Sequence, residues 1–137
     1  MLARQRKNWP LTALNLAYSI AEDRSEDPYV QVGAVAKKYD NSLIVGYNGA
    51  PSGVEIDWSN RDQRRIKVVH AEENVLNYCR PGEVEFLACT HIPCPSCLKT
   101  IAIKKVSKVF FRELLENYAP DVSYDLAREF KISLLKI

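Results

Sequence analysis

The residues of this chain best suited to chemistry lie in two short clusters, His70-Ala71-Glu72 and Pro93-Cys94-Pro95-Ser96-Cys97. One histidine and two cysteines three positions apart make a three-ligand zinc set. Three protein ligands leave a fourth position for water, which suits catalysis better than scaffolding. Glu72, two residues past the histidine, is the candidate proton carrier, since a fourth-ligand role would take the position that water must hold. Two thiolates and a neutral imidazole leave the centre with no net formal charge. Water there is less acidified than on three histidines, so a nearby base matters more.

Neither cluster is decisive alone. His-x-Glu arises often by chance, and Cys-x-x-Cys also fits redox pairs and structural zinc clips. The second histidine, His91, lies three residues before Cys94 and is the rival to His70 as ligand. Cys79 and Cys89 read as buried structural thiols.

The elements around the clusters sharpen the reading. Both clusters fall at predicted helix N-termini, the first helix running from about 70 to 79 and the second from 93 to 105. Residues i and i+2 of a helix point roughly 200° apart. His70 and Glu72 therefore converge only on something lying off the helix end, whereas Cys94 and Cys97 share one helix face and can grip one ion. The positive helix ends also favour thiolates.

Elsewhere, residues 9–23 predict an amphipathic helix with Pro10 in its first turn and Leu11, Leu14, Tyr18 and Ala21 as its stripe. A polar loop follows to Pro28. Residues 29–37, with Val30, Val32, Ala34 and Ala36 on one face, and 43–48 predict an antiparallel hairpin about a 38–42 turn. Segment 49–67 reads as a long loop with a basic cluster, Arg61, Arg64, Arg65 and Lys67, for which a solvated charged face is the plain reading. Strands at 84–91 and 107–112, an irregular stretch at 113–121, a helix at 122–130 aligned by Val122, Leu126 and Phe130, and a last strand at 131–136 complete the chain. The order α-β-β-α-β-α-β-α-β implies an α/β fold, a mixed five-stranded sheet with helices on both faces.

The bulk numbers set bounds. At 137 residues, 47% hydrophobic and 26% charged, the chain suits one globular domain over 1–137 with a real core. A net charge of +2 is far from the basic excess of a dedicated nucleic-acid binder. No apolar run approaches the roughly 18 residues of a membrane span. The charged N-terminal stretch has no apolar segment behind it, so export is not expected, and four reduced cysteines with a metal site are a better reading than two disulfides.

Together His70-Ala71-Glu72 and Pro93-Cys94-x-x-Cys97 resemble the signature of the zinc-dependent cytidine deaminase superfamily. Upstream, Arg24-Ser25-x-Asp27-Pro28-x-x-Gln31-Val32-Gly33-Ala34 and Gly46-Tyr47-Asn48-Gly49-x-Pro51-x-Gly53, with Trp58 and Asn74, are similar to its deoxycytidylate deaminase branch. The resemblance covers about residues 10–112, and the chain departs from the pattern at Glu73, where leucine is common, at Lys105, where glycine is usual, and from Glu113 onward. It implies a cytidine deaminase-like three-layer αβα sandwich and hydrolytic deamination of dCMP to dUMP, supplying thymidylate synthesis. One Zn2+ per chain would sit on His70, Cys94 and Cys97. Glu72 would pass protons to cytosine N3 and then to the departing ammonia. On the same basis Asn48 would hold the sugar, Arg24 and Ser25 would face the phosphate, and Ala71 and Tyr118 would contact the nucleotide. The resemblance further implies a cytoplasmic homohexamer with Gly46–Gly49 near a subunit interface, and dCTP and dTTP as candidate effectors.

Two rival functions differ in kind. The first is a deaminase acting on free cytidine or deoxycytidine, or on a base in nucleic acid, an idea for which only the Arg61–Lys67 cluster speaks. The second is a catalytically silent zinc module used for assembly, against which the intact Glu72 argues.

Overall fold

The computed structural model describes residues 1–116 and 118–137. Its elements run α1 (Trp9–Arg24), β1 (Gly33–Lys38), β2 (Leu43–Tyr47), α2 (Arg61–Lys67), α3 (Ala71–Leu76), β3 (Val84–His91), α4 (Pro95–Ile103), β4 (Lys108–Glu113), α5 (Pro120–Glu129) and β5 (Ser133–Lys136). The strands form one sheet ordered β2-β1-β3-β4-β5. β1 is antiparallel to both β2 and β3, whereas β3, β4 and β5 are mutually parallel. This is the mixed five-stranded sheet and three-layer α/β arrangement that the sequence predicts.

Helix α1 covers one face of the sheet. Asn8 caps it by accepting the Leu11 N–H at 3.0 Å, and Pro10 sits in its first turn. Its buried residues are Ala13, Leu14, Ala17 and Ala21, and the small ones let the backbone come close to the sheet. Gly33 marks the closest approach, since a Cβ there would lie 1.9 Å from the Ala17 carbonyl oxygen. On the opposite face α3, α4 and α5 enclose the larger core, built from Val75, Leu76, Leu87, Leu98, Ile101, Val109 and Phe111. Both faces of β1 are thus buried, with Ala34 and Ala36 toward α3 and α4 and Val35 in the cluster beneath α1. That double burial replaces the single apolar face expected from alternation.

Three further departures have physical causes. β1 starts at Gly33, not at residue 29, because side chains capture the backbone before it. Asp27 Oδ1 accepts the N–H groups of Tyr29 and Val30 at 2.8 and 3.3 Å, and Asn48 Oδ1 accepts that of Val32 at 2.9 Å. An Asx turn and an amide side chain here stand in for a sheet ladder. Second, the segment read as loop contains α2, a short helix with no buried residue, capped by Asn60 on the Gln63 N–H. Its cations are partly engaged: Arg64 stacks on the Tyr29 ring and donates to the Trp58 carbonyl, and Lys67 donates to the Glu55 carbonyl. Third, α5 starts at Pro120 and buries Ser123 and Ala127, leaving Val122 half exposed.

Lys105 stands with φ +59°, a left-handed conformation that costs a side chain and that glycine adopts freely. A glycine at this bend before β4 would meet the same conformational demand without that cost. None of the helices is long and apolar enough to cross a membrane, among the described residues.

Candidate active site

The site forms where β3 ends and the N-termini of α3 and α4 meet, the edge of an α/β sheet at which ligand crevices open. His70 is the residue just before α3 and Cys94 the residue just before α4, each with extended backbone. Cys97 lies in the first turn of α4 and is fully buried. The local sequence dictates this placement: Pro95 fixes the first turn of α4, so its two cysteines flank that turn. His70 Nδ1 lies 3.2 Å from Cys97 Sγ and 3.4 Å from Cys94 Sγ. All three ligand atoms fall within 4.8 Å of one another. A tetrahedral ion with bonds of about 2.0–2.3 Å holds its ligand atoms about 3.3–3.8 Å apart, so the donor set fits zinc.

The electrostatics agree. Hydrogen bonds from Cys97 and His70 pull the Cys94 thiol down to about 4, making it the thiolate of the set. Its hydrogen bond to His70 raises the imidazole to about 9, against the effect of burial. The hydrogen bond to Cys94 and burial together hold the Cys97 thiol protonated. The cluster thus keeps two displaceable protons, one on the His70 imidazolium and one on the Cys97 thiol, and a cation is the group that would displace them. All four cysteines are free thiols.

Glu72 is 4% exposed, and burial pushes its carboxyl up to about 7, opposed by a hydrogen bond with Cys97 and by the charge of His70. A cation beside it would lower that value. A carboxyl able to change state near neutral pH is equipped to take a proton and return it.

These groups floor a cleft of about 250 Å³. Val30, Val32, Val68, Ile92 and Leu115 make its apolar walls, and Asp27, Asn48, His91 and Tyr118 are its polar positions besides the floor. Of the residues singled out from sequence, His70, Ala71, Glu72, Cys94, Asn48 and Tyr118 line the cleft, and Cys97 completes the ligand set beneath it. Arg24 and Ser25 lie outside the lining. Arg24 is exposed in the last turn of α1. Ser25 caps that helix and spends its hydroxyl on Asn48, donating to Oδ1 at 2.6 Å.

His91, the rival ligand, stands apart from the metal set. Its Nδ1 lies 2.7 Å from Thr90 Oγ1 and its Nε2 3.8 Å from Glu113, with burial lowering its pKa. Thr90 Oγ1 also accepts the Gly33 N–H at 3.1 Å, and Tyr18 donates to Glu113, so this group ties α1, β1, β3 and β4 together at the rim. Asp27 is the cleft residue to which sequence reasoning gave no role. The Ser-x-Asp-Pro run carried a signal, since Asp before Pro at a helix exit marks a turn built on the carboxylate. Asn74 supports the site from behind, donating to the Tyr47 carbonyl at 2.7 Å and fixing α3 against β2.

Residues 7–113 match the cytidine and deoxycytidylate deaminase zinc-binding region. The chain belongs to the cytidine and deoxycytidylate deaminase family. It is 39% identical over 97 residues to an uncharacterized deaminase of Aliivibrio fischeri, an alignment covering 69% of this chain and 66% of that protein. It is 37% identical over 105 residues to a probable deoxycytidylate deaminase of Caenorhabditis elegans, covering 70% and 53%. The chain thus spans less than two thirds of the length of either relative. Among solved structures, the dCMP deaminase of cyanophage S-TIM5, crystallised with dCMP and dUMP, superposes with a TM-score of 0.77 at 26% identity, covering 98% of this chain and all of that one. The family's zinc-binding region takes in His70, Cys94 and Cys97, and the same three residues form the metal-competent group of the fold.

Proposed function

We propose that residues 1–137 work as one zinc-dependent deaminase unit that converts dCMP and water into dUMP and ammonia, providing dUMP for thymidylate synthesis. The observation that carries this reading is the meeting of Glu72 with the His70, Cys94 and Cys97 set at the floor of one cleft. The names of the relatives and of the cyanophage structure support the choice of a cytosine deoxynucleotide.

A zinc ion on that set supplies a water acidic enough to act as nucleophile near neutral pH. The chain's own residues do the rest. His70, Cys94 and Cys97 fix where the nucleophile stands. Glu72 takes a proton from the water, delivers one to cytosine N3, and later hands one to the departing amine. Its burial matters, because a carboxyl kept out of water both accepts and releases a proton near neutral pH. The apolar walls exclude bulk water from the base. Ala71, fully buried in the first turn of α3, floors the cleft beside Glu72, and Tyr118, half exposed on the cleft lining, is the candidate contact for the nucleotide. Arg24 and Ser25 are the candidates for the phosphate side, and Asn48 belongs to the sugar side.

The assembly we propose is a cytoplasmic homohexamer packed near Gly46–Gly49, with dCTP and dTTP as candidate effectors. Half-exposed Val45 on edge strand β2 gives that surface an apolar component.

Substrate choice is tested by ammonia release from dCMP, deoxycytidine, dCTP and a single-stranded oligonucleotide under one set of conditions. dCMP is the expected preferred substrate, with deoxycytidine slower by at least about 10-fold for want of a charge-assisted phosphate contact. Equal rates on deoxycytidine and dCMP, or preference for the oligonucleotide, would replace the reading.

A further inference from the structure

We propose that Asp27, not Asn48, is the acceptor for the substrate's sugar hydroxyl, and that Asn48 is the positioning residue that aims it. The inference deepens the functional reading above and rests on it. It follows from counting hydrogen bonds at the two side chains.

An amide side chain has two donor hydrogens and two acceptor lone pairs. Those of Asn48 are spent within the protein. Its Oδ1 accepts from Ser25 Oγ at 2.6 Å and from the Val32 N–H at 2.9 Å. Its Nδ2 donates to the Val30 carbonyl at 3.0 Å and to Asp27 Oδ2 at 3.3 Å. Asn48 is 5% exposed, so a sugar hydroxyl could bond to it only by displacing one of these partners.

Asp27 is in a different position. Its Oδ1 holds the Tyr29 and Val30 N–H groups, which fixes the direction of the carboxylate. Its Oδ2 has the single long contact to Asn48, among the described residues. A carboxylate oxygen accepts two hydrogen bonds or more, so Oδ2 retains capacity, and Asp27 is one of the residues lining the cleft. The loop carrying it is braced again by Gln31, whose Nε2 donates to the Asp27 carbonyl at 2.6 Å. The acceptor is therefore held in place before substrate arrives, which lowers the cost of binding.

Charge decides what it accepts. An anionic carboxylate repels a phosphate but takes a strong hydrogen bond from a hydroxyl. With the base seated over Glu72 and the metal ligands, the partner is the sugar, and a 5′-deoxyribonucleotide offers only its 3′-hydroxyl there. Asp27 thus selects a 3′-hydroxyl against its absence, while Asn48 and Ser25 set its angle.

The test is a cycle between enzyme and substrate, using the zinc-loaded full chain and Asp27→Asn against dCMP and 2′,3′-dideoxycytidine monophosphate. Asparagine keeps an oxygen for the Tyr29 and Val30 N–H groups and removes the charge. For the unmodified chain, loss of the 3′-hydroxyl should lower kcat/KM by about 10- to 100-fold, the range for a hydrogen bond to a charged group. In Asp27→Asn the same comparison should shrink to about 3-fold or less. A loop merely loosened would slow both substrates alike and leave the ratio at its original value, and that result would overturn the assignment. Equal kcat/KM on the two nucleotides in the unmodified chain would overturn it as well. A crystal structure of zinc-loaded Glu72→Gln with dCMP gives an independent reading that does not need Asp27→Asn to fold. The sugar 3′-oxygen should lie within hydrogen-bonding distance of an Asp27 carboxylate oxygen, and a 3′-oxygen bonded to Asn48 alone would refute the proposal. No turnover of any cytosine substrate by the unmodified chain would overturn the functional reading itself, and this assignment with it.

Discussion

Glu72→Gln keeps its zinc and loses turnover of dCMP by about 10²- to 10⁴-fold, the range for removing a positioned general acid–base. Glutamine is isosteric with glutamate, so the packing around the side chain is preserved. What disappears is the ability to take a proton and return it. The structure makes that loss specific, because Glu72 is 4% exposed and is the carboxyl group of the cleft floor beside the metal ligands. Burial disfavours the charged carboxylate, whereas a neutral amide avoids that cost. The variant should therefore unfold at a denaturant concentration no lower than the unmodified protein, while metal analysis shows unchanged zinc. A zinc-loaded Glu72→Gln with full activity would remove Glu72 as the proton carrier. The donor set makes the effect large. Two thiolates offset the ion's charge, so the water it activates depends more on a neighbouring base.

His70→Ala should abolish activity together with zinc retention, whereas His91→Ala should retain zinc. The two histidines differ in what they touch. His70 Nδ1 lies within 3.4 Å of both cysteine sulfurs, and His91 is engaged with Thr90 and Glu113 on the rim. Removing one of three ligands should weaken zinc binding by more than the 10- to 100-fold that loss of an outer partner typically costs. Removing His91 takes nothing from the metal set. Its rim network has a different role, joining the ends of β3 and β4 to α1. Metal content after dialysis against a weak chelator separates the two, and zinc loss from His91→Ala alone would reassign the ligand. The His70→Ala chain should also lose stability at equal total zinc, since an ion that binds only the folded state stabilises it by mass action.

The ligand set was readable from sequence because its constraints are local. Cys94 and Cys97 are placed by one helical turn and by Pro95, and His70 and Glu72 by their position at a helix entrance. The hairpin and the βαβ order fixed the sheet for similar reasons. The approach to β1 was not readable. Val30 and Val32 look like strand residues by alternation, and only the fold brings Asn48 and Asp27 within reach of their backbone. Tertiary hydrogen bonding overrode strand propensity there, and it turned those residues into the cleft wall. The burial of β1 on both faces was hidden for a related reason, since small alanines on α1 reveal little until the helix is seen lying on the sheet. α2 was missed because it buries no residue, which left no apolar period to detect. Asp27 shows in the sequence only the turn signal of Asp before Pro, because its contact with Asn48, twenty-one positions away, exists only in the fold.

The central claim is that this cleft adds water to C4 of a cytosine deoxynucleotide and expels ammonia. Its most direct test is to incubate the zinc-loaded protein with dCMP in 18O-enriched water and to analyse both products. The account predicts dUMP carrying one solvent-derived oxygen at C4 and one ammonia released for each dUMP formed. Recovery of unchanged dCMP, or formation of dUMP without solvent oxygen at that carbon, would contradict it.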